Sequence, residues 1–188
     1  MKLGPDSTIV EVALTVGTAL RARGIQAVLT GGACVSVYTD GSYMSKDADF
    51  IIQSRVTQET LDYAMGELGF ARDQDRYLHD ACPFYVEFPP GPLSIGGDTD
   101  IRAIELPFRG GTALAISATD SCRDRLAAFY HWRDVQSLQL AVAVARHQPV
   151  DFRLIKKWSI AEGCLKGYEE FRRELARTLP DADPGGRP

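Results

Sequence analysis

Two aspartates one residue apart, in the segment "SKDADFII", are the residues with the clearest chemical potential. Asp47 and Asp49 open an apolar run that is typical of a buried strand. Side chains two positions apart on a strand point to the same face, so the carboxylates converge while Ala48, Phe50 and Ile52 face the core. Because burying like charges together is costly unless a cation lies between them, the pattern predicts a site for a metal ion.

A third carboxylate is expected on a later strand. Hard cations such as Mg²⁺ bind oxygen ligands and usually combine one or two carboxylates with substrate phosphates, and two-metal transfer reactions generally use a further acid. We predict Glu87 for this role, because the apolar residues of "FYVEF" take one face of a strand and Glu87 takes the other. An ordinary exposed acid on an amphipathic strand is the alternative interpretation of Glu87. Asp98 and Asp100, in the glycine-rich "GGDTD", are the competing candidates.

A glycine pair precedes the two aspartates. Gly31 and Gly32 follow the apolar segment "IQAVLT" and precede "ACVSVYTD", which indicates a strand that runs into the start of a short helix. Backbone N–H groups and the positive end of the helix dipole then face outward, and the missing Cβ atoms let an anion approach closely. We therefore expect a triphosphate here, with Asp47 and Asp49 holding a metal on its other side.

The elements that must position these residues follow from hydrophobic periodicity and cap signals. Helices are predicted over 6–22, 33–40, 57–68, 119–132, 134–147, 151–163 and 165–179. Strands are predicted over 25–30, 47–52, 84–88, 101–106 and 113–117, which gives a mixed sheet of about five strands. The predicted fold class is α+β, with a mixed sheet flanked by helices and followed by a C-terminal helical bundle.

The same pattern divides the chain into three parts. We predict an α/β core over residues 1–118, a helical segment packed on it over residues 119–179, and a disordered proline- and glycine-rich tail over residues 180–188.

Composition narrows the class of protein. The 188 residues are 45% hydrophobic, which supports a packed core, and neither a membrane span nor a secretory signal is recognisable. We therefore expect a cytoplasmic protein with no membrane partner. The four cysteines and three histidines are scattered without the paired spacing of a zinc site, so the cysteines are expected to be reduced.

The charge balance bears on nucleic-acid binding. A net charge of -4 argues against a wholly basic surface. Residues 146–177, however, contain eight Lys or Arg and five acids. This excess of basic residues favours either an RNA contact or a solvated pair of helices.

Together these motifs resemble the polymerase-β-like nucleotidyltransferase superfamily. Its signature is a strand, Gly-Gly or Gly-Ser, a short helix, Gly-x-Arg-x-Ser/Thr-x-Asp-x-Asp and then a single acid on a third strand. Here the signature stands as Gly31-Gly32, "GSYMSKDAD" over residues 41–49, and Glu87. The Gly-Gly-Ala opening is similar to the bacterial branch that includes AbiEii-like toxin nucleotidyltransferases of toxin–antitoxin systems. The resemblance covers residues 25–90.

The resemblance implies metal-dependent transfer of a nucleoside monophosphate from a nucleoside triphosphate to a hydroxyl of tRNA, a partner protein or a small molecule. Mg²⁺ is the implied cofactor, with Mn²⁺ as the alternative. The implied catalytic and metal-binding residues are Asp47, Asp49 and Glu87, and the implied nucleotide-binding residues are Gly31, Gly32, Ser45, Lys46 and Arg123. The segment "SCRDRLAAFYHWRD" offers Arg123, Arg125 and Arg133. The resemblance implies that a basic residue at the start of this helix, Arg123, contacts the phosphates, because a guanidinium matches phosphate oxygens. A solvated helix face is the alternative interpretation of this region.

Two positions depart from the family pattern. Tyr43 stands where many relatives have arginine, and Glu87 where many have aspartate, so Lys46 is expected to supply part of the missing charge. These departures motivate a rival hypothesis, in which the chain is a catalytically weak binding or antitoxin-like partner with the same fold. General acid–base catalysis on a sugar is disfavoured, because two carboxylates on one strand cannot easily flank a scissile bond.

Overall fold

The computed structural model, which describes residues 3–178, contains seven helices and one sheet. The helices are α1 (Ile9–Ala22), α2 (Gly31–Tyr38), α3 (Gln58–Gly66), α4 (Ala118–Trp132), α5 (Val135–His147), α6 (Phe152–Ala161) and α7 (Leu165–Thr178). The tail predicted to be disordered, residues 180–188, lies outside the described residues. None of the helices within residues 3–178 combines the length and apolar character that crossing a membrane requires.

The strands form one mixed sheet. They are β1 (Ala27–Thr30), β2 (Asp47–Ile52), β3 (Phe70–Asp73), β4 (Arg76–His79), β5 (Cys82–Glu87), β6 (Ile104–Phe108) and β7 (Gly111–Ala115). Their order is β3-β4-β5-β2-β1-β7-β6, with β1 parallel to β7, β2 parallel to β5 and the other neighbours antiparallel. The predicted α+β class with a mixed sheet is therefore confirmed.

The expected number of about five strands was wrong, because the described chain forms seven. The two additional strands, β3 and β4, form a hairpin at one edge of the sheet. Their sequence is rich in charge and most of their side chains are exposed, with Phe70 and Tyr77 buried. Edge strands of this kind do not show the apolar alternation from which the other strands were predicted.

Local turn and cap chemistry explains the shifted boundaries of α1 and of the β6–β7 hairpin. Helix α1 begins at Ile9 rather than residue 6, because Thr8 and Glu11 form a capping box. The β6–β7 hairpin turns at Arg109 and Gly110, which both have positive φ, so β6 extends to Phe108 and β7 begins earlier than predicted.

The centre of the sheet is the most deeply buried part of the molecule. Val28, Leu29, Ala48 and Phe50, on the paired strands β1 and β2, have no solvent exposure. Helices α4 and α5 pack against α2, and this brings the helical half of the chain next to the glycine pair. The division into a core of residues 1–118 and a separate helical segment stays a prediction.

Candidate metal centre

Three carboxylates meet where β2 and β5 run side by side. These strands are parallel, with Asp49 paired to Glu87 and Asp47 paired to Tyr85. One carboxylate oxygen from each of Asp47, Asp49 and Glu87 lies within 4.8 Å of the other two. Carboxylate oxygens are the preferred ligands of hard divalent cations. The three acids predicted from the sequence thus form a potential metal-binding site.

The cluster concentrates negative charge in a half-buried place. Burial, followed by the charges of Asp47 and Glu87, raises the pKa of Asp49 to about 6. Burial and Asp47 likewise raise the pKa of Glu87. Arg125 opposes the first shift and Arg76 the second. A divalent cation would relieve this repulsion, because its charge is opposite to that of the carboxylates. Each carboxylate binds metal in its ionised form.

Hydrogen bonds orient the Asp47 carboxylate. The Ser45 hydroxyl donates to Asp47 Oδ1 at 2.8 Å, and the Tyr85 hydroxyl donates to Oδ2 at 3.2 Å. Ser45 is itself buried, and its backbone N–H donates to Ser36 Oγ at 3.3 Å. Tyr85 was not selected from the sequence as a site residue, although strand alternation places it on the same face as Glu87. Support of this kind fixes the direction in which a metal-binding carboxylate points.

The glycine pair brings the start of α2 against the carboxylates. Gly31 is the first residue of α2 and has φ +63, and a Cβ at this position would overlap Asp49 Oδ2. A Cβ on Gly32 would lie 2.6 Å from Ser45 Oγ. Thr30, the N-cap residue, makes no side-chain cap hydrogen bond. A helix start without a side-chain cap beside a metal site is suited to a phosphate.

Substitution Gly31→Ala is expected to weaken divalent-metal binding about tenfold or more, because the new methyl group would displace Asp49. The left-handed backbone should also lower the free energy of unfolding by about 1–2 kcal/mol. Gly24→Ala is the matched control, because Gly24 has φ +75 but open space around its Cβ position. Metal titration and thermal unfolding should show the stability loss in both variants and the binding loss in Gly31→Ala alone. Equal metal affinity in the two variants would contradict this account.

Metal affinity is expected to rise with pH. Asp49, whose pKa is raised to about 6, must lose its proton before it binds a cation. Titration with Mn²⁺ from about pH 5 to about pH 8 should show affinity that increases by up to about tenfold per pH unit below the pKa and levels off above it. Asp49→Asn should show lower affinity and a flatter profile. An affinity of the wild-type protein that does not change with pH would refute this dependence.

Arg123 lies apart from the carboxylates. Its side chain is 4% exposed and forms ion pairs with Asp98 and, at 2.7 Å, with Asp120. It lines a cavity of about 670 Å³ together with Trp158. The cavity next to Asp49, of about 330 Å³, is lined by other residues. The structure therefore does not bring Arg123 together with the other predicted nucleotide-binding residues.

Arg125, two residues further along α4, lies beside Asp49. It lines the 330 Å³ cavity together with Gly31, Asp49 and Asp124. Its guanidinium donates to Asp124 Oδ2 from Nε at 3.1 Å and from Nη2 at 2.6 Å. Burial lowers the pKa of Arg125, but Asp124 and Asp49 outweigh burial and raise it.

The other predicted nucleotide-binding side chains are placed differently from one another. Ser45 is buried against Asp47, whereas Lys46 is exposed immediately before it. Tyr43 is half-buried, and a Cβ on Gly32 would contact its ring at 3.5 Å. The competing acids Asp98 and Asp100 line the separate cavity with Arg123. The candidate site thus contains the three acids, the glycine pair, Ser45 and Arg125.

Comparisons with known proteins agree with this arrangement at the level of the fold. A scan against protein-family models gives no match, and a search of curated proteins gives none. The chain is similar in structure to an antigenic nucleotidyltransferase-like protein from Paracoccidioides brasiliensis, with a TM-score of 0.56 and 14% sequence identity. The likeness covers 95% of this chain and 91% of that one. The fold is therefore nucleotidyltransferase-like, and both the superfamily and its AbiEii-type branch stay predictions.

Proposed function

We propose that this protein is a metal-dependent nucleotidyltransferase that transfers a nucleoside monophosphate from a nucleoside triphosphate to a hydroxyl acceptor. The observation that carries the proposal is the close approach of Asp47, Asp49 and Glu87, within 4.8 Å, beside the glycine pair at the start of α2. The nucleotidyltransferase-like fold supports it. Mg²⁺ is the proposed metal and Mn²⁺ the alternative, since all three ligands are carboxylates.

The residues around the carboxylates have distinct proposed roles. A divalent cation bound there would neutralise charge on the triphosphate and lower the pKa of the acceptor hydroxyl. Gly31 and Gly32 let Asp49 and Ser45 lie against the start of α2, where the helix dipole favours an anion such as the triphosphate. Ser45 and Tyr85 hold the Asp47 carboxylate in its orientation.

Positive charge for the phosphates comes from Arg125 and Lys46 in this proposal. Arg125 lines the cavity beside Asp49, and its planar guanidinium can donate to two phosphate oxygens. Lys46 is exposed next to Asp47 and keeps its predicted role as a second cation. The phosphate contact predicted for Arg123 is assigned instead to Arg125, which lies two residues further along the same helix.

The proposed reaction is an in-line displacement. The acceptor hydroxyl oxygen attacks the α-phosphorus, and a new O–P bond forms as the bond to the oxygen that bridges to the β-phosphorus breaks. Pyrophosphate leaves with that oxygen and its electron pair. The hydroxyl proton passes to the Glu87 carboxylate and then to water. Glu87 suits this role because its side chain is half-exposed, so the proton can pass on to water.

The test is label transfer from each common nucleoside triphosphate carrying α-³²P, with Mg²⁺ and with RNA, protein and small-molecule fractions offered separately. The wild-type protein should label one acceptor class and release an equal amount of pyrophosphate. The double variant Asp47→Asn/Asp49→Asn, as the control, should transfer no label. Nucleotide binding without transfer to any fraction would overturn the proposal and favour the catalytically weak binding or antitoxin-like partner.

The proposal extends to the acceptor, the biological role and the location of the protein. A tRNA, partner-protein or small-molecule acceptor, a toxin–antitoxin role and a cytoplasmic location are supported by the sequence and by the family resemblance. Which acceptor fraction becomes labelled distinguishes the first three. A transfer product on tRNA would favour the toxin-like role.

A further inference from the structure

A turn over residues 95–98, which we call the anchor turn, connects the two halves of the chain. Ile95 and Asp98 close it with two backbone hydrogen bonds, of 2.9 and 3.1 Å. From the helical half, the indole Nε1 of Trp158 donates to the Ile95 carbonyl at 3.2 Å. The backbone bonds therefore join the two ends of the turn to each other, and Trp158 of α6 holds the Ile95 end.

A second contact holds the middle of the anchor turn. The Gly97 N–H donates to Glu162 Oε1 at 2.8 Å. Gly96 has φ +58, and a Cβ there would lie 2.5 Å from Glu162 Oε2. Glycine at this position therefore allows the backbone to approach the carboxylate at the end of α6.

The third contact is the ion pair between the buried Arg123 and the partly exposed Asp98. Arg123 also pairs with Asp120 at 2.7 Å, and its guanidinium lies 5.1 Å from the centre of the Trp158 ring. Its Nε is buried without a hydrogen-bond partner among the described residues. The guanidinium thus holds the turn between α4 and α6, and loss of the Asp98 carboxylate would leave this buried cation with one partner fewer.

The anchor turn continues directly from one wall of the candidate cleft. The uncharged segment "PPGPLSI", residues 89–95, contributes six of the residues that line the cavity beside Asp49. Ile95 belongs both to this wall and to the anchor turn, so a shift of the turn displaces the wall.

We propose that Arg123 is a positioning residue, which holds the cleft wall through its ion pair with Asp98 and so sets where the acceptor lies beside Asp49. This inference rests on the proposed function. Arg123 touches neither the carboxylates nor their cavity and acts through the anchor turn. The helical half of the chain thereby controls the width of the cleft.

The test uses Asp98→Asn in the full-length protein, because Asp98 is about one-third exposed and asparagine keeps its shape. Amide hydrogen exchange over residues 93–98 should accelerate about tenfold, and the KM for the acceptor should rise about fivefold to tenfold. Affinity for Mn²⁺ should change by less than about twofold, because the anchor turn does not contact the carboxylates. Asp100→Asn, on the same loop, is the matched control and should change none of these quantities.

A second variant, Arg123→Lys, keeps the charge but loses the planar fork, and should give smaller changes in the same direction. Unchanged exchange over residues 93–98 in Asp98→Asn would overturn the anchoring claim. Faster exchange with an unchanged acceptor KM would overturn the positioning role while leaving the proposed function intact. An inactive wild-type protein would overturn both, and this outcome is visible before any variant is made.

Discussion

Replacement of Asp49 by asparagine is expected to reduce nucleotidyl transfer by about 100-fold or more and, at the same time, to stabilise the metal-free protein. The loss of transfer follows because Asp49 supplies one of the three oxygens that lie within 4.8 Å of one another. The gain in stability follows because an ionised Asp49 is held near two other carboxylates. Such opposite effects are typical of groups placed for function rather than for folding.

The sign of the stability change follows from the pKa of Asp49. The pKa is raised from 3.8 to about 6, so between these values the folded state holds a proton that the unfolded state has lost. The free energy of unfolding of the metal-free protein therefore falls as pH rises through this window. Asp49→Asn removes this effect and should add on the order of 2 kcal/mol near neutral pH.

Denaturant unfolding in EDTA, together with the transfer assay, measures both effects. Asp73→Asn is a suitable control, because Asp73 is an exposed acid on the edge strand β3, and it should alter neither stability nor transfer. An Asp49→Asn protein that is less stable than the wild type in EDTA near neutral pH would contradict the electrostatic account. Retained transfer in the same variant would remove Asp49 from the catalytic group.

The second large effect is expected for Arg125→Ala, which should weaken nucleoside triphosphate binding by about 10-fold to 100-fold. Arg125 is the only Lys or Arg among the described residues that line the cavity beside Asp49. Without it, the triphosphate would face Asp49 and Asp124 with no opposing charge in that cavity. Arg125→Lys should restore part of the affinity, since it keeps the charge but not the paired donors.

Calorimetric titration with the nucleoside triphosphate and Ca²⁺ separates this binding effect from turnover. Arg102→Ala is the matched control, because Arg102 is an exposed arginine that lines the other cavity with Arg123. Its affinity for the nucleotide should match the wild type. An equal loss of nucleotide affinity in Arg102→Ala, or no loss in Arg125→Ala, would contradict the proposed contact between Arg125 and the triphosphate.

The convergence of the three acids could be predicted from the sequence because a strand has a fixed period of two. Once "DADFII" and "FYVEF" are assigned to strands, their apolar residues decide which face is buried, and the acids take the opposite face. Glu87 was preferred over Asp98 and Asp100 because it lies on a strand. The structure agrees in placing Glu87 beside Asp49.

The choice between Arg123 and Arg125 could not be made from the sequence. Two residues along a helix correspond to a rotation of about 200° about its axis, so Arg123 and Arg125 lie on nearly opposite faces and only one of them can face the cleft. The rotation of α4 about its axis decides which one, and this depends on packing against α5 and on the anchor turn. These contacts join residues distant in sequence, and no local pattern encodes them.

The β3–β4 hairpin escaped prediction for a different physical reason. Strand β3 is the edge strand and pairs with β4, which in turn pairs with β5, so the hairpin is stabilised by this pairing rather than by an apolar face of its own. Arg76, on β4, nevertheless reaches the candidate site, where it opposes the raised pKa of Glu87. Part of the electrostatic environment of the site was therefore missed together with the hairpin.

The most direct test of the central claim is the fate of the phosphorus atoms. Parallel reactions with α-³²P and γ-³²P forms of the same nucleoside triphosphate should place the α label on the acceptor and the γ label in pyrophosphate, in equal amounts. Both products should disappear in EDTA and in the Asp47→Asn/Asp49→Asn variant. Appearance of the γ label on the acceptor would show phosphoryl transfer instead and would contradict the assignment of this site as a nucleotidyltransferase.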